Sequence, residues 1–252
     1  MRISIITPTY NSEKTLRNTI KSVIRQDYSD IEHIIVDGGS TDGTLDIIQE
    51  YNEHISKYTS EPDHGIYDAM NKGIAMATGD VVGILNSDDF FESDDVISTI
   101  VGTIKNNPAL DGVHADLYYV DPLNTNRIIR YWHTRPYPSK GFLTGWHPAH
   151  PTFYVRRSCY EKYGAFRLDM PLSADFELML RFIQCRGINI QHIDKVFVRM
   201  CVGGATSKNV MSILRGIKQC RKAFRVNGLN APLLYPIYRL FPKLSQYVCR
   251  KH

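Results

Sequence analysis

Apolar and polar positions change period repeatedly along the first hundred residues. Ile3–Thr7, with a short apolar run over Ile3 to Ile6, reads as a strand. Asn11 or Ser12 then caps a helix over Glu13–Gln26, with Leu16, Ile20, Val23 and Ile24 at helical spacing. Ile31–Asp37 reads as the next strand, and Gly38, Gly39, Ser40 and Gly43 break the chain before a helix near Thr44–Asn52. A short strand near Tyr58–Ser60 leads to a helix over Ile66–Ala77, then to a strand at Val81–Leu85 and a helix near Asp94–Asn106 that stops before Pro108. Repeated strand–helix–strand order predicts an α/β fold with a mainly parallel central sheet and helices on both faces.

The second half alternates less regularly. Gly112–Val120 and Ile128–Tyr131 read as strands, followed by a proline-containing stretch over 135–145. Ala174–Cys185 has helical spacing at Phe176, Leu178, Met179, Phe182 and Ile183, and Ile188–Ile193 and Val196–Cys201 read as two more strands. Beyond Gly203-Gly204, Met211, Leu214, Ile217 and Phe224 alternate with Arg215, Lys218, Arg221, Lys222 and Arg225, an amphipathic helix pattern. A second apolar cluster follows, including Leu233, Leu234, Ile237, Tyr238, Leu240 and Phe241.

Polar residues gather where the predicted strands end: Tyr10 and Asn11, Asp37, Glu61 and Asp63, and Asp88 with Asp89. In open α/β sheets ligands bind outside the carboxyl ends of the strands. One aspartate there is an ordinary turn former, but several at equivalent ends predict a shared site. Asp88 and Asp89 are the telling pair. Adjacent carboxylates repel and are costly to desolvate without a neighbouring positive charge. Magnesium is often held by one or two carboxylates together with substrate phosphates, and manganese suits the same oxygen ligands. The expectation is a divalent cation, Mn2+ or Mg2+, carrying a diphosphate; the alternative is a cap for the helix that starts at Asp94. Neither a GxGxxG nor a GxxxxGK[ST] pattern is present, which leaves the phosphates to metal and side chains.

Composition and charge sharpen this picture. With 252 residues, 43% hydrophobic and 22% charged, the chain has an ordinary globular composition. No secretory leader or bilayer-spanning run is expected. The five cysteines are widely spaced with no CxxC pair, as in a reduced cytosolic protein. From Lys195 onward there are 12 lysines and arginines and no acidic residue, whereas the preceding 194 residues hold 18 basic and 26 acidic side chains. An acidic body with a basic end predicts contact with a polyanion.

The run SIITPTYNSEKTL, then IIVDGGSTDGT, EPDHGIYDAMNKGIAMATGD and ILNSDD, resembles the nucleotide-binding half of glycosyltransferase family 2. The likeness is close over residues 1–92 and looser through HPTFYVRR and SADFELMLR, to about residue 185. It implies the GT-A fold, a domain over 1–205 with a nucleotide-sugar half (1–92) and an acceptor half (93–205), and a basic extension over 206–252. By position it makes Asp37 the base-contacting residue, with Pro8 and Tyr10 lining that pocket. Asp63 and Asp68 flank the nucleotide, Asp88 meets ribose or sugar, and Asp89 holds the metal. Asp175 matches the catalytic base. Trp146 and His150 are candidates for acceptor contacts, and a histidine buried beside an apolar strand is the plain alternative for His150. Many members carry a second aspartate where this chain has Gly38, so one base contact is missing or shared here. They often carry Glu-Asp where it has Ala174-Asp175.

The implied activity is metal-dependent, inverting transfer of a single sugar from a nucleoside-diphosphate sugar, UDP-linked, to a lipid-linked or growing surface glycan. The QxxRW motif and membrane helices of processive members are absent from the sequence. The expected place is the cytoplasmic face of the cell membrane, reached through the basic extension, with no nucleic-acid partner. Two rival readings have weaker support. A sugar nucleotidyltransferase would carry a glycine-rich basic signature, and Thr7–Asn11 is neither. A nucleic-acid-binding protein on an inactive body would have no need of both Asp89 and Asp175.

Overall fold

The protein was described from a computed structural model covering residues 1–138, 140–203 and 210–238. The expected 205/206 boundary, the loop from Gly204 to Ser207, and the basic end from Arg239, with Leu240 and Phe241, lie outside the described residues.

In chain order the elements are β1 (Ile3–Thr9), α1 (Leu16–Ile24), β2 (Ile31–Asp37), α2 (Thr44–Glu50), β3 (Lys57–Ser60), α3 (Ile66–Met76), β4 (Val81–Ile84), β5 (Phe90–Phe91), α4 (Val96–Asn106), β6 (Gly112–Asp121), β7 (Asn124–Trp132), β8 (Tyr154–Arg156), α5 (Arg157–Tyr163), α6 (Ala174–Met179), β9 (Ile190–Cys201) and α7 (Val210–Val226). They form one nine-stranded sheet in the order β3-β2-β1-β4-β8-β6-β9-β5, with β7 paired to β6. The first four strands are parallel. The short β8 runs antiparallel between β4 and β6, and so joins the expected nucleotide and acceptor halves into one sheet.

Both faces of β1, β2 and β4 are covered, which explains the apolar residues at successive positions such as Ile5-Ile6, Ile34-Ile35 and Val81-Val82. Ile3 and Ile5 join Val81, Ile97 and Ile100 beneath α4. Ile6 and Ile34 point the other way, toward Met70, Phe176 and Phe182. The alternation follows from the two-residue period of a strand.

Several elements depart from the sequence expectation. The two strands expected at Ile188–Ile193 and Val196–Cys201 are one strand, β9, because the register shift between Ala115/Ile193 and Asp116/Val196 absorbs the extra residues against β6. The helix expected over Ala174–Cys185 is α-helical to Met179 and continues as a π-helical turn through Cys185. The two-residue β5 and three-residue β8 are too short for any periodicity to show, and only long-range pairing makes them strands.

The basic amphipathic helix is present as α7, but its apolar side faces the body. Cys220, Ala223 and Phe224 are buried, and Phe224 lies between Phe176 of α6 and Tyr235, at ring separations of 5.8 and 5.1 Å. Gln219 accepts the backbone N–H of Leu172, and Lys222 pairs with Asp169 at 2.7 Å. Helical amphipathicity is the same whether a core or a membrane receives the apolar stripe. Among the described residues no helix is long and apolar enough to cross a membrane.

At the amino end of the sheet, buried Glu32 ties three strands together. Its carboxylate accepts from Ser4 Oγ at 2.6 Å, from Thr78 N and Oγ1 at 2.8 Å each, and from Lys57 Nζ at 2.9 Å. Burial alone would push this carboxyl up, but the bonds from Ser4, Thr78 and Lys57 pull it down to about 2. A lowered folded-state value stabilises the protein fully above the ordinary glutamate range and loses that contribution as pH falls toward 2. Glu32→Gln should therefore melt about 2–4 °C lower at pH 7. The gap to wild type should close as pH drops from the ordinary glutamate value of 4.5 toward 2. Thermal melts across that range check it, and a pH-independent gap would refute it.

Candidate active site

The sheet's carboxyl edge is organised by its own loops. Asn11, just past β1, adopts a left-handed backbone with φ 48°, a conformation asparagine tolerates better than most residues. Its N–H donates to Ser40 Oγ at 2.8 Å and its side-chain oxygen accepts from Thr41 N at 2.9 Å, which staples the β1 loop to the β2 loop. Tyr10, 61% exposed, lines an open cleft together with Lys14, Asp42, Ser87 and Asp88. Pro8 is buried within β1 beside Val36 of β2.

Asp37 closes β2 and is completely buried. One carboxylate oxygen accepts from Gly39 N at 3.1 Å, Ser40 N at 2.9 Å and Ser60 Oγ at 2.7 Å, and the other accepts from Ser40 Oγ. Its visible work is to shape the loop over 38–40.

Asp88 and Asp89 follow β4, and the structure gives them opposite environments. Asp88 lines the cleft. Asp89, expected to hold a cation, is 0% exposed: its Oδ2 accepts from Asn86 Nδ2 at 3.0 Å, while Oδ1 is buried without a partner. Among the described residues, neither forms an ion pair with a lysine or arginine. Burial raises both carboxyls above the ordinary aspartate range, and for Asp89 the Asp88 charge adds to the effect. They do not cap α4, whose N-cap residue is Asp95.

Asp175 lies in the first turn of α6, two residues after the N-cap Ser173, so it is not the cap. Tyr67 of α3 donates to its Oδ1 at 2.9 Å, and His150 Nδ1 stands 3.4 Å from its Oδ2. Burial and the Asp175 charge hold the Tyr67 hydroxyl well above its ordinary value, so it stays a donor. Burial pushes His150 down against the opposing pull of Asp175 and Asp88. His150 is thus the electrostatic link between the carboxylate of the cleft and that of α6.

The remaining expected residues are tied into their surroundings. Asp68 accepts the N–H of His64 at 3.1 Å and sits 3.8 Å from Lys72. Trp146 donates its indole N–H to Thr134 O at 2.6 Å and packs edge-on to Phe142 and Tyr137. A separate cluster joins β6, β7 and β9: Asp116, His133 and His192 bring one ligand atom each within 4.8 Å of one another, a spacing able to hold a metal ion. As it stands, His133 Nδ1 and His192 Nε2 lie 2.7 and 2.9 Å from the Asp116 carboxylate, which also accepts from Tyr131 and from Thr134 N.

With this geometry in hand, comparison with known proteins is decisive. The family model "Glycosyl transferase family 2" matches residues 4–164. The chain belongs to glycosyl transferase family 2. It is 33% identical over 195 residues to an uncharacterized glycosyltransferase of Mycobacterium tuberculosis, covering 75% of this chain and 72% of that protein. Its fold is that of S. aureus TarS residues 1–349 crystallised with UDP-GlcNAc, at a TM-score of 0.68 and 19% identity over 97% of this chain and 73% of that one. The mannosyltransferase PcManGT of Pyrobaculum calidifontis, solved with GDP-Man and Mn2+, aligns at a TM-score of 0.65 and 20% identity over 96% and 69% of the two chains. This is the GT-A architecture, and the protein is a glycosyltransferase.

Two residues beside this cleft and Asp175, Tyr67 and Lys14, escaped the sequence reading, and a third, Gly38, was read there only as a missing or shared contact. Tyr67 looks like an ordinary helix residue until the fold brings α6 within reach. Lys14 is exposed and becomes notable only because it lines the cleft with Asp88. Gly38 matters through what stands opposite it. A divalent cation fits the Asp88–Asp89 pair on chemical grounds: hard ions take carboxylate oxygens, and Asp89 Oδ1 is a buried acceptor without a donor. The Asp116 cluster offers a softer, nitrogen-rich set.

A raised folded-state carboxyl destabilises the protein once pH exceeds its ordinary value, because the charged form is disfavoured by folding. Asp89→Asn removes that burden. Without added metal it should melt at or above the wild-type temperature at pH 7, while Mn2+-dependent UDP affinity falls at least about tenfold. Melts and calorimetric titrations on one preparation test both, and undiminished Mn2+-dependent affinity would refute the link between Asp89 and cation binding.

Proposed function

We propose that this enzyme transfers one sugar from a UDP-linked donor to a hydroxyl of a glycan or lipid-linked glycan, with inversion at the anomeric carbon. The observation that carries the reading is the convergence of Asp88, His150 and Asp175, residues from three separate segments, at the carboxyl edge of the sheet. The two structural neighbours, solved with UDP-GlcNAc and with GDP-Man and Mn2+, support a nucleotide-sugar donor and a cation.

The donor's diphosphate lies along the cleft between Tyr10 and Asp88. Asp88 and Asp89 would hold the cation, and Lys14, which lines the same cleft, adds positive charge there. When bound, a divalent cation supplies charge neutralisation at the departing diphosphate. Asp175 accepts the proton of the acceptor hydroxyl as that oxygen bonds to the anomeric carbon. The bond from that carbon to the diphosphate breaks, and its electron pair leaves with the nucleotide. Tyr67 fixes one oxygen of Asp175 and leaves the other, beside His150, to face the acceptor.

Asp175→Asn should keep UDP affinity and the melting temperature but lower kcat by roughly 10²–10⁴-fold, the usual worth of a general base. Tyr67→Phe should lower kcat about tenfold with the nucleotide affinity unchanged, because it removes only a positioning bond. A loss below about tenfold for Asp175→Asn would exclude it as the base.

Membrane attachment is carried by what α7 leaves outside. Leu233, Leu234, Ile237 and Tyr238 are exposed in the segment that follows α7, and Arg215, Lys218, Arg221 and Arg225 of α7 are exposed as well. Apolar side chains beside basic ones match an anionic lipid surface, where each cation contributes about 1 kcal/mol. Charge reversal at Arg221 and Arg225 should reduce binding to phosphatidylserine vesicles by about tenfold or more. Vesicle co-sedimentation measures it. Equal pelleting of wild type and variant would count against the surface.

A further inference from the structure

The loop after β2 contains a glycine whose backbone does not require one. Gly38 is absent from the residues with positive φ, so any side chain is conformationally permitted there. Space forbids it: a β-carbon at Gly38 would lie 2.5 Å from Asp63 Oδ2 and 3.1 Å from Asp63 Cγ. The Asp63 carboxylate, carried on the loop between β3 and α3, occupies the volume that a side chain at 38 would fill.

Its two oxygens are not equivalent. Oδ1 accepts the N–H of Gly65 at 2.8 Å, which holds the carboxylate in place. Oδ2 makes no hydrogen bond among the described residues and is not among their buried unpartnered atoms, so it is an acceptor open to a ligand. Gly38 N–H donates to Thr9 O at 2.9 Å, so this acceptor stands beside the end of β1, where exposed Tyr10 enters the cleft. Asp37 cannot serve in the same way, because the loop's own N–H and hydroxyl groups engage both of its oxygens and it is fully buried.

We propose that Asp63 is the residue that reads the donor's base, standing in from a neighbouring loop for the side chain that Gly38 lacks. This rests on the nucleotide-sugar reading given above. An ionised carboxylate only accepts hydrogen bonds. It therefore selects a base whose ring edge offers an N–H, as uracil and guanine do, and disfavours cytosine and adenine, whose ring nitrogens at that edge are acceptors. Asp63 thus acts as a specificity determinant: it discriminates between donors and takes no part in the chemistry.

The test is a set of dissociation constants for UDP, GDP, CDP and ADP, each with Mn2+, for wild type and three variants. Wild type should bind UDP or GDP at least about tenfold more tightly than CDP and ADP, the effect of one hydrogen bond to a charged group. Asp63→Ala should weaken the preferred nucleotide about tenfold and bring all four to within a few-fold of one another. Asp63→Asn keeps an oxygen for Gly65 N–H and presents an amide donor, so its preference should shift toward CDP. The double variant G38D/D63A returns a carboxylate to the same volume from the other loop and should restore the wild-type ranking. An unchanged ranking in both Asp63 variants, with wild type binding nucleotide, would overturn the assignment of Asp63 alone. Failure of wild type to bind any of the four would overturn the donor reading and this inference with it.

Discussion

A parallel sheet covered on both faces leaves polar side chains almost nowhere to go but its ends. In β1, β2 and β4 the side chains that point up and down are both enclosed, by α3 and α6 on one face and by α1, α2 and α4 on the other. Charged residues are thereby pushed to the strand termini, and the site collects at the carboxyl edge. Glu32 shows the same rule at the opposite end. Its charge is kept inside because Ser4, Thr78 and Lys57 supply donors from three neighbouring segments.

Within that edge, partners rather than positions assign the roles. Asp37, Asp63, Asp68, Asp88, Asp89 and Asp175 are chemically alike. Asp37 and Asp68 are occupied by backbone N–H groups of their own loops. Asp89 is walled in behind Asp88, and Asp175 is held between Tyr67 and His150. Of these six, Asp63 and Asp88 are the ones that present a carboxylate oxygen unengaged by a described donor at the loops where a nucleotide would lie. An acid bound by several local donors is a structural element; one with an unengaged oxygen is available to a ligand.

The C-terminal helix carries the same lesson for apolar surface. Phe224 completes a cluster with Phe176 and Tyr235, on the helix that bears Asp175. The basic segment therefore supports the position of the proposed base.

The first half of the fold was legible in the sequence, since long strands and helices declare themselves by period. β1, β2, α3 and α4 fall within a residue or two of where the apolar pattern put them. The motif runs also located the acidic edge. What the sequence could not contain was long-range pairing. β5 and β8 are strands only because β9, β4 and β6 lie beside them. Tyr67 and Asp175 are 108 residues apart, and no local pattern links them. Gly38 looked like a missing contact, and only folding revealed the Asp63 carboxylate filling its place. Sequence determined which chemistry reached the edge, because residue type and period are local properties. Tertiary structure decided which carboxylate is engaged and which is free, because hydrogen-bond partners and packing volume are set by segments far apart in the chain.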